Sequence, residues 1–233
     1  MKVRLLALTL CAFAFASMAS VLPVRAQDRP TSGDMSVSSG RTLGIRTSVL
    51  SAGIGWPGLW AQFDTGLSSR FTLGVRVTAL YGSSIMGLGT GIGSEVGVPL
   101  RLHIYGHEDL DIALTLRPSV VFGQGALVGQ LNTFANDFGF GLRAEAGVVL
   151  GMRLSQAVTF VLGVNGGPGY GSVPDAGQDR LLGTLRSNIG IEGLMSRDTM
   201  LFLLLEGGYG FAPANTFDKH FVLSLSLGIA YEL

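Results

Sequence analysis

An all-β fold, an antiparallel up-and-down barrel that crosses a membrane, is what three features of this 233-residue sequence predict. Large apolar residues recur at every second position through ten segments. Short polar turns alternate with longer links between those segments. The face opposite the apolar one is mostly Gly, Ser, Thr and Ala, with one or two charges per segment. Composition agrees: 14% of the residues are charged and 35 are glycine, whereas an average soluble domain holds about 25% charged residues and roughly 7% glycine.

The first stretch precedes the fold. Lys2 and Arg4 lead into an apolar run from Leu5 to Ala19, and Val24-Arg25-Ala26 offers a small-residue cleavage site before Gln27. That order predicts a secretory signal peptide over residues 1–26. A retained anchor is the alternative, because residues 5–22 are long enough to span; Pro23 and the cleavage site favour removal. Cys11 is the sole cysteine, so the exported chain is expected to hold no disulfide, no thiolate metal site and no cofactor. Leu10 stands where a lipoprotein signal has a small residue, which argues against a lipid anchor. Removing Lys2, Arg4 and Arg25 from 16 basic against 16 acidic residues leaves −3. No basic field therefore draws the chain to nucleic acid. Residues 27–40, QDRPTSGDMSVSSG, are polar without periodicity and are expected to form a disordered periplasmic leader. The barrel then occupies 41–233, with no apolar run of helical spanning length.

The ten segments fall at 41–53, 57–66, 70–82, 89–104, 109–122, 137–153, 157–166, 183–194, 199–211 and 220–232. A strict period of two puts one set of side chains on each face of a strand. The third segment alternates Phe71, Leu73, Val75, Val77 and Tyr81 with Thr72, Gly74, Arg76 and Thr78. In the fifth, Leu110, Ile112, Leu114, Leu116, Val120 and Phe122 oppose Asp111, Thr115, Arg117 and Ser119. The sixth sets Phe138, Phe140, Leu142, Ala144, Ala146, Val148 and Leu150 against Arg143, Glu145 and glycines. The ninth, LFLLLEGGYGF, carries leucine on both faces until Glu206. The last runs Phe221, Leu223, Leu225, Leu227, Ile229, Tyr231 and Leu233 on one side. Eight or twelve strands stay open if the glycine-rich stretch 87–97 or the ninth segment is read differently.

Tight turns sit near Ser68-Ser69, Gly106-His107-Glu108, Ser155-Gln156 and Arg197-Asp198. Between them come links at Gly55-Trp56-Pro57, 83–88, 123–136, 167–182 and 212–218. Short connections at one end and longer ones at the other describe a meander.

The apolar face must meet something. A lipocalin-like barrel would turn it inward and coat its exterior with charge, but the polar face here is too small-sided and too sparsely charged for such a coat. Exposed to water, ten apolar faces would far exceed the few hundred Å² that soluble monomers tolerate. The strands meet the 9–11 residues needed to cross a bilayer at a tilt. Phe71, Tyr81, Tyr105, Phe122, Phe138, Phe140, Tyr209, Phe211, Phe221 and Tyr231 gather at strand ends, as interfacial girdles require. In hydrocarbon every backbone group must be paired, so the sheet has to close.

The ending Gly228-Ile229-Ala230-Tyr231-Glu232-Leu233 resembles the C-terminal signature of bacterial outer-membrane β-barrel proteins, a glycine, two residues, an aromatic, any residue and a terminal hydrophobic. Leu233 stands where members usually end in phenylalanine. The resemblance implies an outer-membrane location, with Gly228, Tyr231 and Leu233 read by the outer-membrane assembly machinery. It also implies both termini in the periplasm, hence short turns on that side and longer loops outside. Outer-membrane lipid is the expected surrounding and a monomer the expected state.

The inward positions are expected to hold Arg46, Asp64, Arg76, Glu95, Arg101, His103, Asp111, Arg117, Arg143, Glu145, Arg186, Asn188, Glu192 and Glu206. Arginines in a narrow low-dielectric tube need counter-charges. Counting across the hairpins pairs Arg46 with Asp64, Arg76 with Glu95, His103 with Asp111 and Asn188 with Glu206, each register open to a slip of two. Such pairs would brace and plug a small barrel, since side chains fill barrels near eight strands. A structural or surface-interaction role through the loops follows, with a narrow pore for small polar solutes or ions as the alternative.

A hydrolase is the third reading. Some small outer-membrane barrels are proteases or lipid A-modifying hydrolases, and ten strands match the omptin barrel, whose site combines an aspartate pair with an aspartate–histidine pair at the outer rim. Asp218 and His220 flank that rim here, and a second carboxylate from Asp137 or Asp179 would be needed beside them. His103 and His107 fall at the other end. Two further stretches carry less. The run Gly87–Gly93 fits neither nucleotide-loop spacing, and Leu127, Leu131 and Phe134 have helical spacing within a loop.

Overall fold

A computed structural model describes residues 35–82, 92–124, 137–211 and 220–233. The signal segment, residues 27–34 of the leader, most of the glycine run, Leu127, Leu131, Phe134 and Asp218 lie outside these described residues, as does the side chain of His220.

Strands β1 (Ser48–Trp56), β2 (Gly58–Ser68), β3 (Phe71–Leu80), β4 (Gly93–Gly97), β5 (Leu100–His107), β6 (Leu110–Gln124), β7 (Phe138–Arg153), β8 (Val158–Val173), β9 (Gln178–Leu194), β10 (Thr199–Phe211) and β11 (His220–Glu232) follow one another around a single antiparallel sheet. β11 pairs with β1 from Glu232↔Val49 to Leu225↔Trp56, which closes the barrel. β4 and β5 are one strand interrupted at Val98-Pro99. Arg76 faces Gly97 and Leu73 faces Leu100, so the count across β3 is unbroken. Pro99 has no N–H to give, but its carbonyl accepts from Gly74 N at 2.8 Å, and the wall stays continuous. The barrel is thus ten-stranded, as the periodicity predicts.

The pleat sends the bulky residues outward. Leu225, Leu227, Ile229 and Tyr231 on β11, and Leu201, Leu203 and Leu205 on β10, are exposed while their sequence neighbours Ser226, Ala230, Met200 and Phe202 are buried. Trp56, Tyr81, Phe122, Phe138, Tyr209 and Phe221 are exposed near the end of the long links, and Tyr105 and Tyr231 near the end of the tight turns. Trp56 meets Tyr81 edge-on at 6.1 Å, and Tyr209 meets Phe221 at 6.0 Å.

Three expectations are corrected. The first segment was expected as a strand from residue 41 and the leader as disordered to residue 40. Instead β1 begins at Ser48, and residues 35–43 run inside the barrel with Met35, Val37, Ser39, Thr42 and Leu43 buried. The chain turns at 44–47, where Thr47 N donates to Gly44 O and Arg46 N to Gly66 O. Arg46 takes a positive φ of 66° in this turn and is exposed. It is therefore not a lumen residue, and Val49 rather than Arg46 faces Asp64. Replacing Arg46 by Met is accordingly expected to leave the melting temperature of the refolded barrel unchanged within about 0.5 kcal/mol of stability; a large drop would place Arg46 in an ion pair. The third correction concerns residues 167–182, expected as a loop. They extend β8 and β9 into a hairpin closed by a short 3₁₀ turn at Pro174–Ala176. Glycine and proline read as breakers there, but β9 pairs with β8 without a break from Val158 to Val173. The β7–β8 ladder opens only between Arg143↔Gly169 and Ala146↔Gly166, beside Pro168.

Candidate functional site: the occluded lumen

The lumen is filled in layers. At the turn end, residues 35–43 cross the interior from β9 to β3. Met35, Val37 and Leu43 pack with Val49, Trp60, Met200, Phe202 and Ala230 into an apolar cluster. Trp60 and Phe202 stack with centroids 5.4 Å apart. This explains the ninth segment: Met200 and Phe202 are apolar on the inner face because they touch this strap, not lipid. Gly228 has a local reason too, since a Cβ there would lie 2.8 Å or less from the Phe202 ring.

Polar groups of the wall fasten the strap. Glu192 Oε1 accepts from Val37 N at 3.0 Å and from Ser38 Oγ at 2.7 Å. Arg101 donates to the carbonyls of Arg41 (2.8 Å), Ser36 and Val37. Thr42 Oγ1 donates to Ser69 O at 2.9 Å, and Leu43 N to Thr72 Oγ1 at 3.0 Å. Arg41 Nε binds Asp111 Oδ2 at 2.5 Å, and His103 Nε2 lies 3.3 Å from Asp111 Oδ1. The expected His103–Asp111 contact exists, but through a bulge: Ala113 faces His103 and Gly106 faces Asp111. Gly106 leaves room for the imidazole, as a Cβ there would come within 2.8 Å of the ring.

Above the strap lies a charge network. Arg117 faces Glu145 across β6–β7 and donates to Oε2 at 2.6 Å. Arg186 donates to Glu145 Oε1 and also to Glu206 Oε2, the latter at 3.2 Å. Thr184 Oγ1 adds a bond to Glu145 at 3.1 Å. Glu145 thus sits between two guanidinium groups with only 5% of its surface exposed. Glu206 and Asn188 face each other in register as counted, yet Arg186 is the residue that Glu206 binds. The expected Arg76–Glu95 pair is corrected by a two-residue slip. Thr78 faces Glu95, and Glu95 reaches Arg143 at 3.9 Å instead. The guanidinium carbon of Arg76 sits over Trp60, 4.0 Å from the ring centroid. Asp64 accepts from Gln62 Nε2 at 2.7 Å. Toward the long links, Val121, Val173 and Leu182 form an inner apolar cluster against Leu80.

Sequence counting missed Arg41, which pairs with Asp111 and not with Asp64, the partner counted for Arg46. No periodic signal marks a residue on an irregular strap. At the outer rim Asp179 accepts from Tyr170 Oη at 2.8 Å. The aspartate–histidine arrangement that a hydrolase would need involves Asp218 and the His220 side chain, both beyond the description. Among the described residues no group of three His, Cys, Asp or Glu side chains is placed to hold a metal.

A closed antiparallel sheet with a lipid-type exterior, two aromatic rims and a packed polar interior defines a transmembrane β-barrel. No protein-family profile and no curated protein sequence matches the chain. Among solved structures it is similar to the attachment invasion locus protein Ail of Yersinia pestis, at 14% identity and TM-score 0.37 over 81% of this chain and 99% of that one. It is also similar to the outer-membrane channel DcaP of Acinetobacter baumannii, at 12% identity and TM-score 0.34 over 82% and 60%. OmpT, an outer membrane protein of Vibrio cholerae, in a loop L8 deletion mutant, gives 12% identity and TM-score 0.34 over 82% and 61%. The barrel class follows from this chain's own closure and exterior.

Proposed function

We propose that the protein is a sealed, non-conducting barrel with a structural or surface-interaction role, acting through its outer loops and without enzymatic activity. The observation that carries this reading is the strap at 35–43. It crosses the lumen and is bonded to strands on several sides of it: β9 through Glu192, β5 through Arg101, β6 through Asp111 and β3 through Thr72. A freely conducting pore needs an open path, and this segment occupies it with buried side chains. Gly228, Tyr231 and Leu233 serve assembly in this reading, and the barrel works as a monomer in lipid.

A narrow pore for small polar solutes is the second reading. A cavity of about 140 Å³ between the strap and the charge network favours it. Planar-bilayer recording of the refolded, signal-free chain separates the two. Silence at all voltages supports the sealed barrel, whereas discrete steps that change when Arg143 or Glu145 is neutralised support the pore.

A further inference from the structure

The cavity above the strap has its own chemistry, independent of whether the barrel conducts. Its walls include Arg76, Arg101, Arg117, Asp64, Glu145 and Glu206. Most of these charges are accounted for. Arg117 and Arg186 together face Glu145 and Glu206. Arg143 faces Glu95, and Arg41 faces Asp111. Arg101 spends its donors on strap carbonyls and offsets Asp64 on the same cavity wall. Arg76 makes no close ion pair. Among the described residues its guanidinium lies over the face of Trp60, with no carboxylate within 4 Å, and Glu206, Glu95 and Asp64 act on it only from farther off.

That position matters, because a cation held over a ring face by the π-system leaves its N–H donors for other partners. Buried charges without a partner are costly, and a fork of this geometry matches the two oxygens of a carboxylate or phosphate. The same cavity is lined by Asn165 and Asn188, each with a buried side-chain oxygen that has no hydrogen-bond partner. Amide O and N are interchangeable at such positions, so either amide can turn its NH₂ toward an anion. Thr72 and Thr115 supply further polar lining. The volume, about 140 Å³, equals roughly four to five waters at about 30 Å³ each, which suits a small oxyanion.

We propose that the barrel binds a small oxyanion, a carboxylate or phosphate group, in this cavity, with Arg76 as the bidentate donor and Asn165 and Asn188 as supporting amides. The strap at 35–43 forms the floor, through Val37 and Ser38.

Trp60 is a built-in reporter. The chain has two tryptophans, and Trp56→Phe leaves Trp60 as the only one. This variant is refolded in detergent with acetate or phosphate present, at constant ionic strength against chloride. The expected result is a saturable change in Trp60 emission with either or both anions. A response to acetate alone assigns a carboxylate, and to phosphate alone a phosphate group. Arg76→Met should abolish the response, and Arg76→Lys should weaken binding about tenfold because the ammonium loses the fork. Arg76→Gln serves if the methionine variant does not refold. The proposal is overturned if the emission never saturates, which leaves ordered water as the only occupant, or if a folded Arg76→Met or Arg76→Gln barrel responds like its parent.

Discussion

Glu145→Leu is expected to destabilise the barrel by about 3–5 kcal/mol, the usual result of removing one partner from a buried ion pair. Glu145 holds two guanidinium groups, Arg117 at 2.6 Å and Arg186. Arg186 keeps Glu206 after the substitution, but Arg117 then faces an apolar side chain. Desolvation of that cation, rather than the lost Coulomb attraction, sets the size of the effect. Removing both charges tests the reasoning: Glu145→Leu with Arg117→Met should recover most of the loss, since apolar replacements of whole buried pairs are often neutral. Thermal unfolding in detergent, followed by loss of β-sheet signal, reads both variants. A single-variant loss under about 1 kcal/mol would mean that water screens the network as it screens a surface pair.

Deleting residues 35–43 is expected to convert a silent barrel into a conducting one. The strap buries Met35, Val37 and Leu43 against Trp60, Met200 and Phe202, at about 1.5–3 kcal/mol per fully buried large side chain. The deletion should therefore also lower the melting temperature. What distinguishes sealing from mere stabilisation is current. The shortened barrel should show discrete conductance steps under conditions where the full chain shows none. The double variant Arg101→Met with Asp111→Asn, which loosens the strap without removing it, should open intermittently. Persistent silence of a folded deletion variant would mean that the strap is not the seal.

Much of this architecture was legible in the sequence because a barrel wall obeys one rule. Inside and outside alternate residue by residue, and Leu225, Leu227 and Ile229 follow that rule as plainly in the structure as in the chain. Elements departing from a two-residue period were harder to read. Residues 35–43 form no strand, so their burial comes from Glu192, Arg101 and Asp111 reaching them from distant strands, contacts that no local pattern encodes. Arg41 and Arg46 are equally plausible lumen cations by composition; only the turn at 44–47 decides between them. The β8–β9 hairpin was missed because Gly166-Gly167-Pro168-Gly169 has the composition of a loop, yet β9 pairs with all four residues and β7 with Gly166 and Gly169, which holds the stretch extended. Cross-strand counting failed by small slips. Arg76 and Glu95 miss each other by two residues, while Asn188 and Glu206, joined by a tight turn, meet as counted. A tight turn does not secure the count by itself, since the bulge between His103 and Tyr105 sets His103 opposite Ala113 and not Asp111.

Which residues of β11 face lipid can be measured directly. The refolded chain without residues 1–26 has no cysteine, so single cysteines carrying a nitroxide can be placed from Val222 to Ala230 on β11 in bilayers. Accessibility to oxygen, which partitions into hydrocarbon, should be high at 223, 225, 227 and 229 and low at 222, 224, 226, 228 and 230, with a water-soluble nickel chelate excluded from the odd set. Oxygen accessibility without that alternation, or chelate access to positions 225 and 227, would contradict a barrel whose bulky face is solvated by the membrane.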